Sequence, residues 1–173
     1  MTTSSRSTKE SSSIANNGRA RGTRRVLGID PGTATTGYGI VEEDGNELKA
    51  LVSGVIRTSP GQPTPARLQV IHRELRALAA KWKPDEAAVE ELFFSRNVRT
   101  AMSVGQARGV AILALADAGL EVAEYTPLAI KQAVTGYGSA DKTQMQEMVR
   151  MLLGLSKIPH PDDAADALAV AIC

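Results

Sequence analysis

Apolar residues fall into short runs in the first third of the chain and into helical spacing over most of the remainder. The early runs are interrupted by the turn sequence PGTATTG (31–37) and by an Asp-Gly pair, which predicts three strands joined as an antiparallel meander. Segment 64–82 repeats its apolar positions at the spacing of an amphipathic helix. Apolar runs within 85–94 and at 121–125 are too short for such helices and predict two further strands.

The complete pattern predicts an α/β fold. Three meandering strands followed by alternating strands and helices favour one mixed sheet, antiparallel first and then parallel, with helices flanking it. Thr64 and Pro65 suit the N-cap and first position of the first helix. The predicted strands cover 24–30, 38–46, 48–59, part of 85–94 and 121–125, and the predicted helices cover 64–82, 99–119, 126–134, 139–154 and 161–173.

Charge divides the chain into two parts. Residues 1–25 carry six Lys and Arg side chains against one Glu, whereas residues 26–173 carry 14 basic and 18 acidic side chains. Residues 1–23 are rich in Ser, Thr, Asn and Gly, so we interpret them as a disordered basic tail, a solubilising leader rather than a DNA-binding arm. Residues 24–173 are predicted to form the folded domain, which is mildly acidic and would need a local basic patch or bound cations to hold a polyanion.

Composition also excludes several classes of protein. No apolar stretch approaches the roughly 18 residues that a membrane span requires, and the N-terminus has no apolar core of a secretory signal. The single cysteine, Cys173, excludes a disulfide framework and a cysteine metal site. A cytoplasmic protein without a membrane partner is therefore expected.

Acidic residues stand where the predicted strands end. Asp30 closes the first strand, and Glu90 or Glu91 closes the fourth. If these strands are neighbours, their carboxyl ends lie level, and only one of the two glutamates can join Asp30 because side chains alternate between faces. Spacing alone does not choose between Glu90 and Glu91.

Three more acids crowd the start of the last helix, which is otherwise rich in Ala, Leu and Val. Carboxylates in a first turn can simply favour the positive end of the helix dipole. Asp163 with Asp166, or Asp162 with Asp166, can also share one helix face and aim at one point. Four clustered carboxylates repel one another unless cations lie between them, and their hard oxygen ligands suit Mg²⁺ or Mn²⁺.

Five motifs in order then identify a resemblance. VLGIDPGTATTGYGIV, VEELFFSRN, GQARGVAI, IKQAVTGYGSADKTQMQEMVRMLLGL and DDAADALAVAI are similar to the RuvC family of Holliday-junction resolvases, whose fold is that of ribonuclease H. The match is collinear over about residues 25–173. It implies a homodimeric endonuclease of DNA recombination and repair that nicks a four-way junction symmetrically and works with the RuvA–RuvB branch-migration complex.

The resemblance also assigns the catalytic residues. The family's four acids fall on Asp30, Glu90, Asp163 and Asp166 as ligands of two divalent ions, which leaves Asp162 as a helix-start acid. Lys131 and Lys142 match lysines that the family needs near the scissile phosphate. Lys142 also stands in a first helical turn, where a cation opposes the helix dipole, and such a broken local rule points to function.

Loop residues after the fourth strand complete the predicted DNA contacts. The family position of Phe93 stacks on an unpaired junction base, although Phe93 and Phe94 could instead both cap the core. Arg96 and Arg99, beside Asn97, either contact phosphate or form a solvated face, and we favour phosphate. His160 precedes the last helix and is interpreted as a loop residue rather than a base or ligand.

Two other readings of the sequence stay open at this stage. GIDPG also resembles the phosphate loop of actin-like ATPases, and a ribonuclease H-like domain could bind junctions without cutting them. Gly105, Ala107 and Gly109 would allow close packing of the long apolar helix, which is therefore either internal core or a dimer seam.

Overall fold

The computed structural model describes residues 22–91 and 98–173. The strands are β1 (Arg24–Asp30), β2 (Thr35–Asp44), β3 (Glu47–Arg57), β4 (Glu86–Glu90) and β5 (Glu121–Tyr125). The helices are α1 (Thr64–Trp82), α2 (Val98–Asp117), α3 (Pro127–Thr135), α4 (Lys142–Leu152) and α5 (Asp162–Ile172). Their order matches the predicted one. Within the described ranges, no helix is long and apolar enough to cross a membrane.

The five strands form one mixed sheet in the order β3-β2-β1-β4-β5. β1, β2 and β3 are antiparallel neighbours, whereas β1 with β4 and β4 with β5 are parallel. Ile29 of β1 pairs with Val89 of β4, so Asp30 and Glu90 stand side by side at the same edge of the sheet. The predicted α/β fold with a mixed sheet is confirmed.

Side-chain alternation along the strands divides the core into two layers. One layer packs α1 and α2 on the face that presents Leu27, Ile29, Ala87 and Val89. The other packs α3, α4 and α5 on the opposite face, which presents Ala88. Residues two apart on a strand share a face, so Glu90 lies on the α5 face with Ala88.

Helix α5 lies directly on the sheet because glycines replace side chains beneath it. A Cβ atom on Gly28 would lie 2.5 Å from the backbone nitrogen of Ala171, and one on Gly37 would lie 2.7 Å from the carbonyl carbon of Asp163. Seven of the eleven α5 residues are buried. The glycines therefore bring the start of α5, with its acids, against the end of β1.

Several predicted boundaries differ from the observed ones by one to three residues, and three of these differences have a clear cause in the structure. The amide of Arg67 donates to the carbonyl of Pro63, so helical bonding begins one residue early and Thr64 is not the N-cap. β2 begins at Thr35 instead of 38 because Thr35–Gly37 pair with β3. α4 begins at Lys142 instead of 139 because Asp141 and Gln144 form a capping box at that point.

Capping residues mark two other helix ends. Thr126 is the N-cap of α3, and its hydroxyl accepts a hydrogen bond from the amide of Ala129. Gly119 follows α2 with a φ of 79°, the left-handed conformation that glycine adopts at helix ends. The tail predicted over residues 1–23 falls mostly outside the described residues and stays a prediction.

Candidate active site

Three of the predicted acids meet at one edge of the sheet. Asp30 ends β1, Glu90 ends β4, and Asp166 stands on the second turn of α5, above them. All three line an open cavity of about 250 Å³. Lys131 of α3 and Lys142 of α4 line the same cavity, so five of the predicted site residues share one space.

Burial and mutual repulsion act on this cluster. Burial, followed by the charges of Glu90, Asp166 and Asp163, raises the pKa of Asp30 to about 7. Burial also raises the pKa of Glu90, with a further contribution from Asp166, while a hydrogen bond with Asp30 acts in the opposite direction. The pKa of Asp166 is raised by burial as well, although Lys142 opposes the shift. At neutral pH the cluster therefore favours either a retained proton or a bound cation.

Asp163 stands slightly apart from the other acids. It lines a second cavity, beside Gly32, Thr33 and Arg67, and not the space that Asp30 and Glu90 share. Its charge nevertheless contributes to the raised pKa values of Asp30 and Asp166. Asp163 therefore belongs to the same acidic region from the opposite side.

Lys142 lies between two acids of α5. Its ammonium nitrogen is 2.9 Å from a carboxylate oxygen of Asp162 and 3.6 Å from one of Asp166. The Asp162 hydrogen bond is the main cause of a raised Lys142 pKa, and the same bond lowers the pKa of Asp162. These carboxylates account for a lysine in the first turn of a helix, where the dipole alone would disfavour it.

The sequence prediction missed the role of Asp162 and that of Arg108. The side-chain amide of Gln146 donates from Nε2 to Asp162, which fixes that carboxylate beside Lys142. Arg108 of α2 donates from Nε to the carbonyl oxygen of Glu90 at 3.2 Å and forms an ion pair with Glu124 of β5. A charged residue in the middle of a mostly apolar helix was the available signal for Arg108. It anchors the end of β4 that carries Glu90.

The remaining predicted residues are not part of this geometry. Phe93, Arg96 and Asn97 lie outside the described residues, as does the side chain of Arg99, whose backbone belongs to the first turn of α2. Phe94 also lies outside the described residues. His160 is exposed and does not line the acidic cavity.

The donor set fits a hard divalent cation. Carboxylate oxygens are the ligands that Mg²⁺ and Mn²⁺ prefer, and a cation would offset the repulsion that raises the Asp30 pKa. Over 22–91 and 98–173, no three His, Cys, Asp or Glu side chains already form a coordination cluster. Ligation by three acids therefore requires their side chains to turn toward one another.

Without a divalent cation, the protein is expected to lose stability as the pH rises from about 4 to about 7. The Asp30 pKa is about 7 in the fold against an ordinary value of 3.8, so in this window the folded chain retains a proton that the unfolded chain has lost. Each pH unit then costs at most about 1.4 kcal/mol of unfolding free energy for one such group. Thermal unfolding in EDTA, compared with Asp30→Asn, measures the effect. Identical pH slopes in the two proteins would contradict it.

A sheet with acids at the ends of its first and fourth strands and at the start of its last helix defines a ribonuclease H-like nuclease. The family model for the crossover junction endodeoxyribonuclease RuvC matches residues 26–173. The chain belongs to the RuvC family. This assignment removes the reading of the chain as an actin-like ATPase fragment.

Similar proteins of known sequence and structure support this family assignment. The chain is 62% identical to the crossover junction endodeoxyribonuclease RuvC of Chloroflexus aggregans over 149 residues, which cover 86% of this chain and 91% of the relative. Thermus thermophilus RuvC in complex with Holliday junction substrate is 39% identical, with a TM-score of 0.82 over 86% of this chain and 91% of that one. The yeast mitochondrial Holliday junction resolvase is 14% identical with a TM-score of 0.65, covering 90% of this chain and 79% of that one, and shares the fold.

Proposed function

We propose that this protein is an endonuclease that resolves four-way DNA junctions by paired symmetric nicks, in homologous recombination and DNA repair. The observation that carries the proposal is the cavity in which Asp30, Glu90 and Asp166 meet Lys131 and Lys142. The chain's membership of the RuvC family and its 39% identity to the junction-bound Thermus protein support the same substrate.

A divalent cation is expected for a nuclease with this acid set. Asp30, Glu90 and Asp166, joined by Asp163, would hold Mg²⁺ or Mn²⁺, with two ions per site as the finer proposal. Such ions, when bound, activate water and stabilise the leaving oxygen of a phosphodiester. The products would carry 5′-phosphate and 3′-hydroxyl ends.

The side chains of the chain itself position the substrate. Lys142 lies 3.6 Å from Asp166 and is more than half exposed, so its ammonium can offset charge on a phosphate that reaches the acids. Lys131 faces the same cavity from α3. Asp162 holds Lys142 through an ion pair at 2.9 Å, and Arg108 fixes the end of β4 through the carbonyl of Glu90.

A homodimer is the proposed assembly, because two symmetric nicks need two sites. The exposed positions of α2 form one stripe, and Met102 and Leu113 within it are 65% and 54% exposed. Gly109 lies between them with open space around its Cβ position, which would let a second helix approach closely. Large exposed apolar side chains on one face of a helix are typical of a helix that packs against a partner.

Leu113→Glu is expected to dissociate the dimer, because it places a charge in the centre of an apolar contact. Analytical ultracentrifugation measures the change as a shift from dimer to monomer at micromolar concentration. Met151→Glu on α4 is the matched control, since Met151 is 62% exposed and lies outside the stripe. A Leu113→Glu protein that sediments like the wild type would place the interface elsewhere.

Several finer proposals rest on the family resemblance. Phe93 would stack on a junction base, and Arg96, Asn97 and Arg99 would contact the DNA nearby. The N-terminal tail would act as a leader, the RuvA–RuvB complex would be the cellular partner, and the cytoplasm would be the location.

A nicking assay tests the function directly. The wild-type chain is incubated with a synthetic four-way junction and with a duplex of matching sequence, in Mg²⁺, in Mn²⁺ and in EDTA. We expect paired nicks on opposing strands of the junction, no comparable cutting of the duplex and no cutting in EDTA. Junction binding without any nick in either metal would favour a binding protein instead.

A further inference from the structure

We propose that Arg67, together with the loop 32–35 and Ser103, binds a second phosphate of the cleaved strand, next to the scissile one. The proposal rests on the proposed junction-cutting function and adds a substrate contact on the far side of Asp163. Its starting point is a cavity of about 510 Å³, lined by the loop, Arg67, Ser103 and Asp163.

This cavity adjoins the acid site along the chain and in space. The loop 32–35 follows Asp30 almost immediately, and Asp163 belongs to the same helix as Asp166. Asp163 lines the Arg67 cavity, and its charge acts on Asp30, which lines the other one. When a DNA strand places its scissile phosphate at Asp30, an adjacent phosphate of that strand can therefore bind in the neighbouring Arg67 cavity.

Among the described residues, Arg67 is held through a single nitrogen, Nε. Its Nε donates to the hydroxyl of Thr58 at 2.8 Å, and that hydroxyl donates in turn to the carbonyl of Thr33 at 2.6 Å. Thr58 is only 8% exposed, so the guanidinium is fixed against a buried group. Over the described part of the chain, no carboxylate forms an ion pair with Arg67. The two terminal nitrogens keep their donors for another acceptor.

The loop opposite Arg67 is held by hydrogen bonds of its own. The Thr33 side chain is 6% exposed, and its hydroxyl donates to the carbonyl of Ser103 at 2.5 Å and contacts the Ser103 hydroxyl at 2.7 Å. The Thr36 hydroxyl donates to the carbonyl of Gly32 at 2.7 Å. A site whose polar groups are fixed in advance loses little conformational entropy on binding.

The chemistry of the cavity selects a phosphodiester. A guanidinium with two free terminal nitrogens matches the paired oxygens of a phosphate. The Asp163 carboxylate in the same cavity opposes a free anion. A phosphate delivered by a strand that is already held at the neighbouring acid site overcomes this repulsion, because its effective concentration is high. The contact is to the sugar-phosphate backbone and carries no base preference.

The test combines protein variants with neutral substitutions in the DNA. Single-turnover cleavage at graded protein concentrations yields a half-saturating concentration and a maximal rate for each pair. Junctions carry one methylphosphonate at a time at the phosphates flanking the cut. We expect Arg67→Ala to raise the half-saturating concentration about tenfold and to change the maximal rate little. The slope of the logarithm of DNA affinity against the logarithm of salt concentration should become shallower by about 0.9.

The combination of the two changes is decisive. One flanking methylphosphonate should weaken junction binding by the wild type by a similar factor. It should not weaken binding by Arg67→Ala any further, because the same contact is already lost in that variant. Arg67→Lys keeps the charge without the fork geometry, so its half-saturating concentration should lie between those of the wild type and Arg67→Ala. Arg73→Ala is the control, since Arg73 lies on the same helix but is exposed and paired with Glu74.

Two outcomes would overturn the proposal. If every flanking methylphosphonate weakens Arg67→Ala and wild type equally, Arg67 touches no phosphate. If Arg67→Ala and Arg67→Lys both lower Tm and the maximal rate without raising the half-saturating concentration, Arg67 is only a brace between α1 and the loop. Wild-type nicking in the same experiment keeps these failures separate from a failure of the proposed function, which would appear as no cutting by any of the proteins.

Discussion

Asp30→Asn, Glu90→Gln and Asp166→Asn are each expected to abolish junction cutting while leaving junction binding intact. Each change removes one carboxylate from the cavity that the three acids share. The loss of rate should exceed the roughly 10–100-fold that follows from altering an outer-shell partner of a metal ligand. Binding should stay equal or improve, because one negative charge that repels DNA is gone.

Gel-shift binding and nicking with Mg²⁺, measured on the same junction, separate the two effects. Glu91→Gln is the matched control, because Glu91 follows Glu90 directly but does not line the cavity. It should cut at nearly the wild-type rate. If Asp166→Asn cuts as fast as the wild type in Mg²⁺, the proposed acid set is wrong.

Gly28→Ala is expected to destabilise the protein strongly. The new Cβ would lie 2.5 Å from the nitrogen and 2.8 Å from the Cβ of Ala171, so α5 must move away from β1. Overpacking of this kind typically costs about 1–3 kcal/mol, and contact with backbone that cannot rotate away places Gly28→Ala at the upper end.

Urea unfolding measures the cost as a lower midpoint at an unchanged slope. Gly61→Ala serves as control, because the nearest heavy atom to its Cβ position is the Ser59 hydroxyl at 3.8 Å. A Gly28→Ala protein as stable as the wild type would mean that α5 can shift on the sheet at little cost.

The element order was predictable from periodicity, because the short apolar runs of the strands differ clearly from the longer segments with helical spacing. The boundaries of β2 and α4 were less predictable. Strand pairing extends β2 to Thr35, and a capping box makes α4 begin at Lys142. Alternation along β4 places Glu90 on the α5 face, but sequence reasoning could use this only once the neighbouring strand was known. The family resemblance was therefore needed to choose Glu90 over Glu91.

The contacts around the site depend on tertiary structure that no local pattern encodes. Spacing on α5 left Asp162 and Asp163 as alternatives, and in the structure Asp162 pairs with Lys142 from another helix. Arg108 reaches Glu90 and Glu124 across two strands, and Arg67 reaches Thr58 across a loop. Each of these partners is distant in sequence or separated by a turn whose path follows from packing.

The alternation of side chains on β1 has a consequence for how this sequence can diverge. Leu27 and Ile29 face α1 and α2, whereas Gly28 and Asp30 face α5 and the acids. We expect aliphatic exchanges of similar volume at the first pair to change stability slightly and to leave the chemistry intact. At the second pair almost no exchange should be tolerated. Along this strand, positions that tolerate substitution should therefore alternate with positions that tolerate almost none.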